Sequence, residues 1–431
     1  MNAPAHFTVT LICTGLVAMA AHAAEQPSPI AALGLHGFAD TRVGMRTQHD
    51  ANQDDVSLAE ARLQLDAQRY VGPVSAQFRA DFLYDDMING QPLDIEQGKG
   101  WIDLREANLQ FSPMAMMDVK MGRQILTWGT GDLLFINDLF PKDYQAFFIG
   151  RDEQYLKAPS DAIITSVFHE WVNVDLVYTP RFDADRFISG ERISFYSPLA
   201  GARVGQHDPV HAERPDDWLQ DDEVALRLSR NLSGYEWALY AYHGYWKSPR
   251  GYNSDTGKAT FPPMRSAGAS MRGQMADGIG NVEVAYFDSI DDPNGDDPAV
   301  PNSEARLLLG YEREVVQNLT GSAQYYVEQL QDYAALRSTL PTGQRAGDET
   351  RHVVTLRLTK MLLSQNLALS LFTFYSPSDE DAFIRPRATY KATDNWSITA
   401  GGNVFLGEHE HTFFGQFEDN SNLYVGARYS F

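Results

Sequence analysis

The chain has 431 residues, a formal net charge of −22 and a single cysteine, Cys13. The acidic balance, and the lack of a segment rich in both basic and aromatic residues, give no support for a nucleic-acid partner. Beyond the first residues no stretch reaches the roughly eighteen apolar residues that a membrane helix needs, which argues against a helical membrane protein.

The first residues predict a secretory signal peptide covering residues 1–23. An apolar run leads into the segment AHA at 21–23, which has the small-x-small pattern of a cleavage site. A buried N-terminal helix is the alternative, although the run has no amphipathic pattern. Residues 24–431 contain no cysteine, so the mature chain would have neither a disulfide framework nor a thiol nucleophile.

From residue 35 onward, apolar and polar residues alternate in short segments. In segment 35–46, Val43 and Met45 lie on one face while Asp40 and Arg42 lie on the other. Alternation with a period of two predicts a β-strand with one apolar face. The pattern predicts eighteen strands, or sixteen because the phase is ambiguous in the fifth and ninth segments. The segments are 35–46, 57–68, 74–82, 101–111, 117–127, 162–169, 171–178, 223–230, 235–246, 265–273, 280–288, 303–313, 319–329, 351–360, 366–375, 383–391, 396–406 and 421–431.

The connections between these segments differ in length in a regular way. Tight turns, such as those at 71–73 and 363–366, alternate with long polar connections, such as 85–100 and 179–222. Strict short–long alternation with an even number of strands is typical of a bacterial outer-membrane barrel. The sequence therefore predicts an all-β fold, a transmembrane antiparallel β-barrel of 16–18 strands, with 18 as the best count.

The apolar faces decide what surrounds such a barrel. Eighteen half-apolar strands have more apolar surface than one sandwich core could bury, whereas a lipid annulus accepts all of it. Aromatic residues near predicted strand ends fit the interfacial girdles of such barrels. They are Tyr70, Trp171, Trp396 and Tyr429.

The chain ends in SNLYVGARYSF (421–431), an alternating segment that stops at Phe431. This end resembles the closing strand of Gram-negative outer-membrane porins, in which the terminal aromatic residue belongs to the signal read by the barrel-insertion machinery. The resemblance implies one outer-membrane barrel domain over 24–431, with Phe431 as its assembly signal. The tract MGRQILTWG (121–129) also resembles a segment of uncharacterised porin-like families and, distantly, of alginate-export porins. It implies no substrate.

The predicted connection 128–161 is unusually rich in aromatic and aliphatic residues, such as Leu133, Phe135, Phe140 and Phe147. Such a segment should pack against the inner wall of the barrel, since water would not solvate it well. It is the third external loop, and it resembles the constriction loop of porins. A packed extracellular cap without a role in permeation is the alternative. The predicted constriction residues are Asp132, Asp138, Lys142, Asp143, Arg151, Asp152, Glu153 and Lys157.

Basic residues follow the lumen faces of the last five predicted strands, with no acid between them. Alternate residues of a strand lie roughly 7 Å apart, so these cations would form a track able to pass an anion or a carboxylate along. The alternative is structural pairing with Glu283, Glu312 or Glu328 across the lumen. The track consists of Arg357, Arg385, Arg387, Lys391 and Arg428.

The remaining chemistry in the sequence is sparse. Acidic pairs such as Asp85-Asp86 fall in predicted loops, where they are solvated or bridge divalent cations to lipopolysaccharide. His409 and His411 alone do not make a metal site, and no cofactor, metal or catalytic motif is indicated. A barrel lipase is the catalytic alternative, although no triad can be picked out.

Three functions remain open. The first is a passive diffusion channel for small hydrophilic solutes, with anions or carboxylates favoured by the basic track. The second is a barrel that serves as scaffold or export conduit for a polymer or a periplasmic partner protein. The third, less favoured, is an enzyme. The expected partners are outer-membrane lipid and lipopolysaccharide, the insertion machinery, small solutes and, as an open option, further copies of the chain.

Overall fold

A computed structural model describes residues 34–88, 90–197, 200–341 and 346–431. The predicted signal peptide lies outside these residues. Within the described ranges, no helix is both long and apolar enough to cross a bilayer.

Eighteen antiparallel strands form one sheet, and its last strand pairs with its first. The register of that closing pair runs from Phe38 opposite Ser430 to Arg46 opposite Asn422. Each strand coincides with one of the eighteen predicted segments, so the predicted closed barrel is confirmed. The strands are β1 (Leu35–Arg46), β2 (Val56–Val71), β3 (Val74–Asp85), β4 (Ile102–Met114), β5 (Met117–Gln124), β6 (Ser160–Phe168), β7 (Asn173–Thr179), β8 (Glu223–Leu232), β9 (Tyr235–Tyr245), β10 (Pro263–Met275), β11 (Gly278–Ser289), β12 (Glu304–Val316), β13 (Leu319–Leu330), β14 (Thr350–Leu362), β15 (Leu367–Ser376), β16 (Asp381–Lys391), β17 (Trp396–Gly407) and β18 (Asn422–Ser430).

The two faces of the strands follow the predicted alternation. In β1, Asp40 and Arg42 are buried on the lumen side, whereas Val43 and Met45 are 53% and 60% exposed on the outside. Residues opposite each other in a sheet share a face, so each pair of neighbouring strands extends the same division around the barrel.

The outer surface carries a band of exposed apolar side chains bordered by aromatic ones. Leu239 and Val425 belong to the band, while Trp171 and Tyr390 lie beside the tight turns and Trp101 and Tyr375 lie towards the opposite rim. Water disfavours such a surface, whereas lipid flanked by two aromatic girdles accommodates it.

The two rims differ as predicted, with one exception. Tight turns occupy one rim, and long connections occupy the other except between β15 and β16, where residues 377–380 form a short turn. The predicted strict alternation is therefore wrong at this hairpin. Asp379 stabilises the turn, because its carboxylate accepts hydrogen bonds from Ser376 at 3.0 Å and Arg351 at 2.5 Å.

Short elements decorate the long connections. The described parts of these connections contain two helices, α1 (Tyr144–Ile149) and α2 (Tyr333–Thr339). The 3-10 turns are Asp86–Ile88, Glu153–Leu156 and Gly415–Asn420. Short strands pair among the external loops at Phe195–Ser197, Ala202–Val204, Ala212–Glu213, Gly251–Asn253 and Lys258–Thr260.

The main hydrophobic core lies inside the barrel, towards the rim with the long connections. There inward side chains of the wall, including Phe383 and Phe405, pack against residues of the external loops, including Phe148 and Phe417. The rings of Phe148 and Phe405 meet edge to face with centroids 5.1 Å apart. The lumen is therefore filled at this level by loop residues.

A closed barrel of this kind should resist detergent until it is boiled, because every strand is hydrogen-bonded on both sides. We expect boiled and unboiled samples to migrate differently on SDS gels. Identical migration of the two samples, together with recovery of the protein in the soluble periplasmic fraction, would contradict the membrane barrel.

Candidate functional site

The third loop connects β5 to β6 and comprises residues 125–159. It folds into the barrel, as predicted: Phe140, Phe147 and Phe148 are buried among inward side chains of the wall. The Phe147 ring meets that of Phe383 at 5.6 Å. Full burial of each such side chain contributes roughly 1.5–3 kcal/mol, which accounts for the inward path of the loop.

The tract 121–129 fixes the point where the loop leaves the wall. Gly122 has φ +111°, and a Cβ there would lie 2.4 Å from the carbonyl oxygen of Ala107, so glycine is required. Arg123 donates to both carboxylate oxygens of Asp161, at 2.9 and 2.8 Å, and Gln124 donates to the carbonyl of Ala162 at 2.8 Å. Both ends of the third loop are thereby held together.

A carboxylate on the barrel wall accepts hydrogen bonds from the first turn of the third loop. Glu283 of β11 accepts hydrogen bonds from the backbone of Thr130 and Gly131 and from the side chain of Asn137. Gln324 of β13 donates to the Asp132 carbonyl at 2.8 Å and accepts from its N–H at 2.7 Å. Glu283 thus anchors the loop and does not pair with the basic track.

Acids of the loop meet four arginines of the predicted basic track. Arg357 donates to Asp132 at 2.6 Å and to Glu153 at 2.9 Å. Arg385 lies 3.8 Å from Glu153, and Arg387 donates to Asp152 at 3.0 Å. The partners of these three arginines are therefore acids of the third loop and not Glu283, Glu312 or Glu328.

Strand β1 completes this arrangement. Arg42 and Arg428 each approach Asp152 at 3.7 Å, and both bind Asp40, at 2.8 and 2.9 Å. We call the whole group the lumen charge cluster. It holds five guanidinium groups and four carboxylates, an excess of one positive charge: Arg42, Arg357, Arg385, Arg387, Arg428, Asp40, Asp132, Asp152 and Glu153.

The loop also contacts the strands of the wall that follow β1. Arg151 binds Glu60 of β2 at 2.6 Å and Asp85 of β3 at 3.1 Å. Gln64 of β2 donates to the hydroxyl of Tyr155 at 3.3 Å. The third loop therefore spans the lumen from β11 and β13, which hold its first turn, to β2 and β3.

Not all predicted constriction residues reach the lumen charge cluster. Asp138, Lys142 and Asp143 are buried, and Lys142 binds Asp138 at 3.0 Å inside the loop. Lys157 donates to the hydroxyl of Thr127 at 2.6 Å, and Lys391 lies exposed at the end of β16 beside a tight turn.

The predicted start of β16 and the predicted absence of acids from the last strands both need correction. Strand β16 begins at Asp381, two residues before its predicted start, and Asp381 is buried on the lumen face. It accepts a hydrogen bond from the backbone of Phe414 at 2.6 Å. The basic faces of the last strands therefore do contain an acid, near the external loops.

The loop carboxylates of the lumen charge cluster differ in acidity. Burial alone would raise the pKa of Asp152, but the charges of Arg387, Arg428 and Arg42 outweigh burial and lower it. Burial is outweighed in the same way at Glu153, whose pKa is lowered by its hydrogen bond to Arg357 and the charge there. At Asp132 the effect of burial, together with the charges of Glu153 and Glu312, outweighs the effect of Arg357. The pKa of Asp132 is therefore raised.

These opposite directions predict a pH effect on the charge of the cluster. As the pH falls from 7 to about 4, Asp132 should take up a proton before Asp152 and Glu153, adding one positive charge. In bilayer recordings, anion selectivity should rise in this first step, and the step should be absent from Asp132→Asn. An identical pH profile for the two proteins would show that Asp132 is not the titrating group.

The fourth loop, residues 180–222, is a feature that the sequence reading underestimated. Arg186 binds Asp103 at 2.7 Å, while Asp185 accepts from the N–H of Lys142 at 2.7 Å. Phe182 and Ile193 are buried, so the prediction of a polar connection at 179–222 is wrong for this part of the loop. The apolar residues in 181–195 are the sequence signal that could have predicted this burial.

No group of three or more His, Cys, Asp or Glu side chains suited to a metal ion occurs among the residues that the structure describes. His409 and His411 have stacked rings with centroids 5.4 Å apart.

Comparison with known proteins gives a result at the level of the fold. No family model and no curated protein matches the chain. Among solved structures, OccAB4 of Acinetobacter baumannii is 11% identical with a TM-score of 0.55, over 92% of this chain and 97% of that chain. OmpF of Salmonella typhi (10% identity, TM-score 0.44, 92% and 97% coverage) and a porin of Rhodopseudomonas blastica (11%, 0.40, 92% and 99%) match less well. At this identity the likeness to OccAB4 shows the fold alone, a porin-like β-barrel.

Proposed function

We propose that the chain is an outer-membrane channel through which small hydrophilic solutes diffuse, with a preference for anions. The observation that carries the proposal is the lumen charge cluster, formed where Asp132, Asp152 and Glu153 of the inward loop meet arginines of the wall. Charges placed at the narrow level of a lumen select among passing ions.

The proposed location follows from the outer surface. The exposed apolar band between two aromatic sets suits a bilayer and its lipopolysaccharide leaflet. Delivery would use the signal peptide at 1–23 and the assembly signal at Phe431. Backbone hydrogen bonds between Phe431 and Gly37, at 3.0 and 3.2 Å, place this last residue at the seam that closes the barrel.

The preference for anions rests on two features of the lumen charge cluster. The cluster has one positive charge in excess, and its arginines keep side-chain nitrogens without a hydrogen-bond partner among the described residues. These nitrogens are Nε of Arg385, Nε of Arg387 and Nη2 of Arg428. These nitrogens are buried, so their positive potential is left uncompensated, which favours an anion at this level of the lumen.

The arrangement supports a channel over the alternative of a scaffold or export conduit. A polymer or partner protein inside the barrel would need the third loop out of the lumen. In the structure this loop is bonded to β2 and β3 on one side and to β11 and β13 on the other. A channel for small solutes needs no such displacement.

The test is planar-bilayer recording of the refolded protein in a salt gradient. We expect discrete conductance steps and a reversal potential on the anion-selective side. Heat-modifiable protein that inserts without producing any steps would contradict the channel, and a cation-selective potential would contradict the proposed preference.

A further inference from the structure

A cavity of about 720 Å³ lies on the other side of the third loop from the lumen charge cluster. Its wall comes from the third, fourth and later external loops and from the upper parts of several strands. No residue of the lumen charge cluster lines it. Arg351, at the cavity, and Arg357, in the cluster, occupy the same face of β14 six positions apart, roughly 20 Å along the strand.

The wall of the cavity is mainly apolar and rich in aromatic rings. Phe135, Phe147 and Phe187 from the loops and Phe287 from β11 contribute to it. Part of the wall is open to solvent, since Phe413 is 45% exposed. A cavity of this size and lining matches those that hold small organic molecules.

Cations with stacked aromatic partners interrupt this apolar wall. Arg250 lies over the ring of Trp246 at 4.4 Å, and Arg306 lies over that of Phe287 at 4.2 Å. Arg306 is held by Glu304 and Glu328, whereas Arg250 makes one hydrogen bond, from Nη1 to Glu304 at 3.1 Å, and its side chain is 35% exposed. Of these two cations, Arg250 is therefore the one with donors left for a ligand.

Further hydrogen-bond donors line this wall, and some of them have no partner. Trp246 is 4% exposed, and its indole N–H has no hydrogen-bond partner among the described residues; nor has Nε of Arg306. Burial, with the charge of Asp185, raises the pKa of Tyr144 well above its usual range, so its hydroxyl remains a donor. Buried donors without partners are costly, and an acceptor group on a ligand would satisfy them.

We infer that this external cavity is a binding site for an amphipathic monoanion, a carboxylate carried on an apolar aromatic or aliphatic body. The apolar body would lie against the phenylalanine wall, and the carboxylate would accept hydrogen bonds from Arg250 and its neighbouring donors. This inference goes beyond the proposed channel, because a ligand can occupy the cavity whether or not ions pass through the lumen.

The experiment measures equilibrium binding by calorimetry on the full chain in lipid nanodiscs, with empty nanodiscs as blank. The probes are 2-naphthoate, acetate and 2-naphthylmethylammonium. We expect saturable binding of 2-naphthoate, at least about tenfold weaker binding of the cation, which lacks the charge-assisted hydrogen bonds, and none of acetate. Equal binding of the two naphthalene probes, or no saturable binding of 2-naphthoate, would overturn the inference.

Three variants locate the bound probe. Arg250→Gln should weaken 2-naphthoate binding by at least about tenfold. Ala299→Trp, on the cavity wall, should abolish binding by filling the space. The matched control is Arg265→Gln, because Arg265 follows the cavity residue Met264 but lies 61% exposed outside the barrel, bound to Asp288. Its affinity should equal that of the unchanged protein.

Heat-modifiable migration shows which variants are folded. Binding that persists in Ala299→Trp would place the probe elsewhere and refute the site. Loss in Ala299→Trp with full affinity in Arg250→Gln would refute the assignment of the carboxylate to Arg250. Because no ion flux is measured, either failure leaves the channel proposal standing, and a failed conductance test leaves the site standing.

Discussion

Replacing residues 133–152 with four glycines is expected to raise the single-channel conductance several-fold. The change removes Phe140, Phe147 and Phe148, which fill the lumen, together with Arg151, which fastens the loop to β2 and β3. The gap can be bridged because the flanking Asp132 and Glu153 both bind Arg357, at 2.6 and 2.9 Å. Each glycine spans at most about 3.3–3.6 Å, enough to join two chain ends held by one side chain.

The matched control replaces Tyr333–Thr339, helix α2, with glycines. This helix lies in another external connection and has no buried residue, so its loss should leave the conductance unchanged. Heat-modifiable migration of both variants verifies their barrels. A folded loop variant with the original conductance would show that the third loop does not limit the pore.

The second large effect is expected from Arg385→Ala combined with Arg387→Ala. The double change leaves three guanidinium groups against four carboxylates in the lumen charge cluster, reversing its excess charge. A unit charge acts on an ion about 4 Å away with roughly 1 kcal/mol even in water, so the anion-to-cation permeability ratio should fall by at least about fivefold. The reversal potential in a salt gradient measures this ratio.

The mirror variant, Asp152→Asn with Glu153→Gln, should shift the ratio the other way, since it leaves five positive charges against two negative ones. Both shifts should shrink at high salt, because the screening length falls from about 8 Å at physiological ionic strength to about 3 Å at 1 M. Shifts of the same sign in the two variants would show that disturbance of the loop, and not charge, governs selectivity.

Much of the barrel was predictable because its signals are local. Whether a residue faces lipid or lumen depends on a period of two along its own strand, so Val43 and Arg42 could be assigned from their immediate neighbours. The number of strands follows by repetition of the same pattern. The short turn at 377–380 was not predicted, because the sequence of a turn held by Asp379 does not differ from that of a longer acidic loop.

The inward path of the third loop was also predictable, since a segment so rich in phenylalanine and leucine must be buried somewhere and a lumen wall was available. The fourth loop was missed because its apolar residues, such as Phe182 and Ile193, are diluted among charged ones. In the structure those charges are used as well, as in the pairing of Arg186 with Asp103.

The sequence by itself determined the strands, their faces and the presence of charged residues in the loop that enters the barrel. Only the tertiary structure decided which of those charges meet. Asp138 and Asp152 belong to the same loop, yet Asp138 is buried against Lys142 while Asp152 reaches Arg387, more than two hundred residues away in the chain. The reason is that a strand repeats a local period, whereas the course of an irregular loop is set by how its side chains pack against a wall built from distant strands.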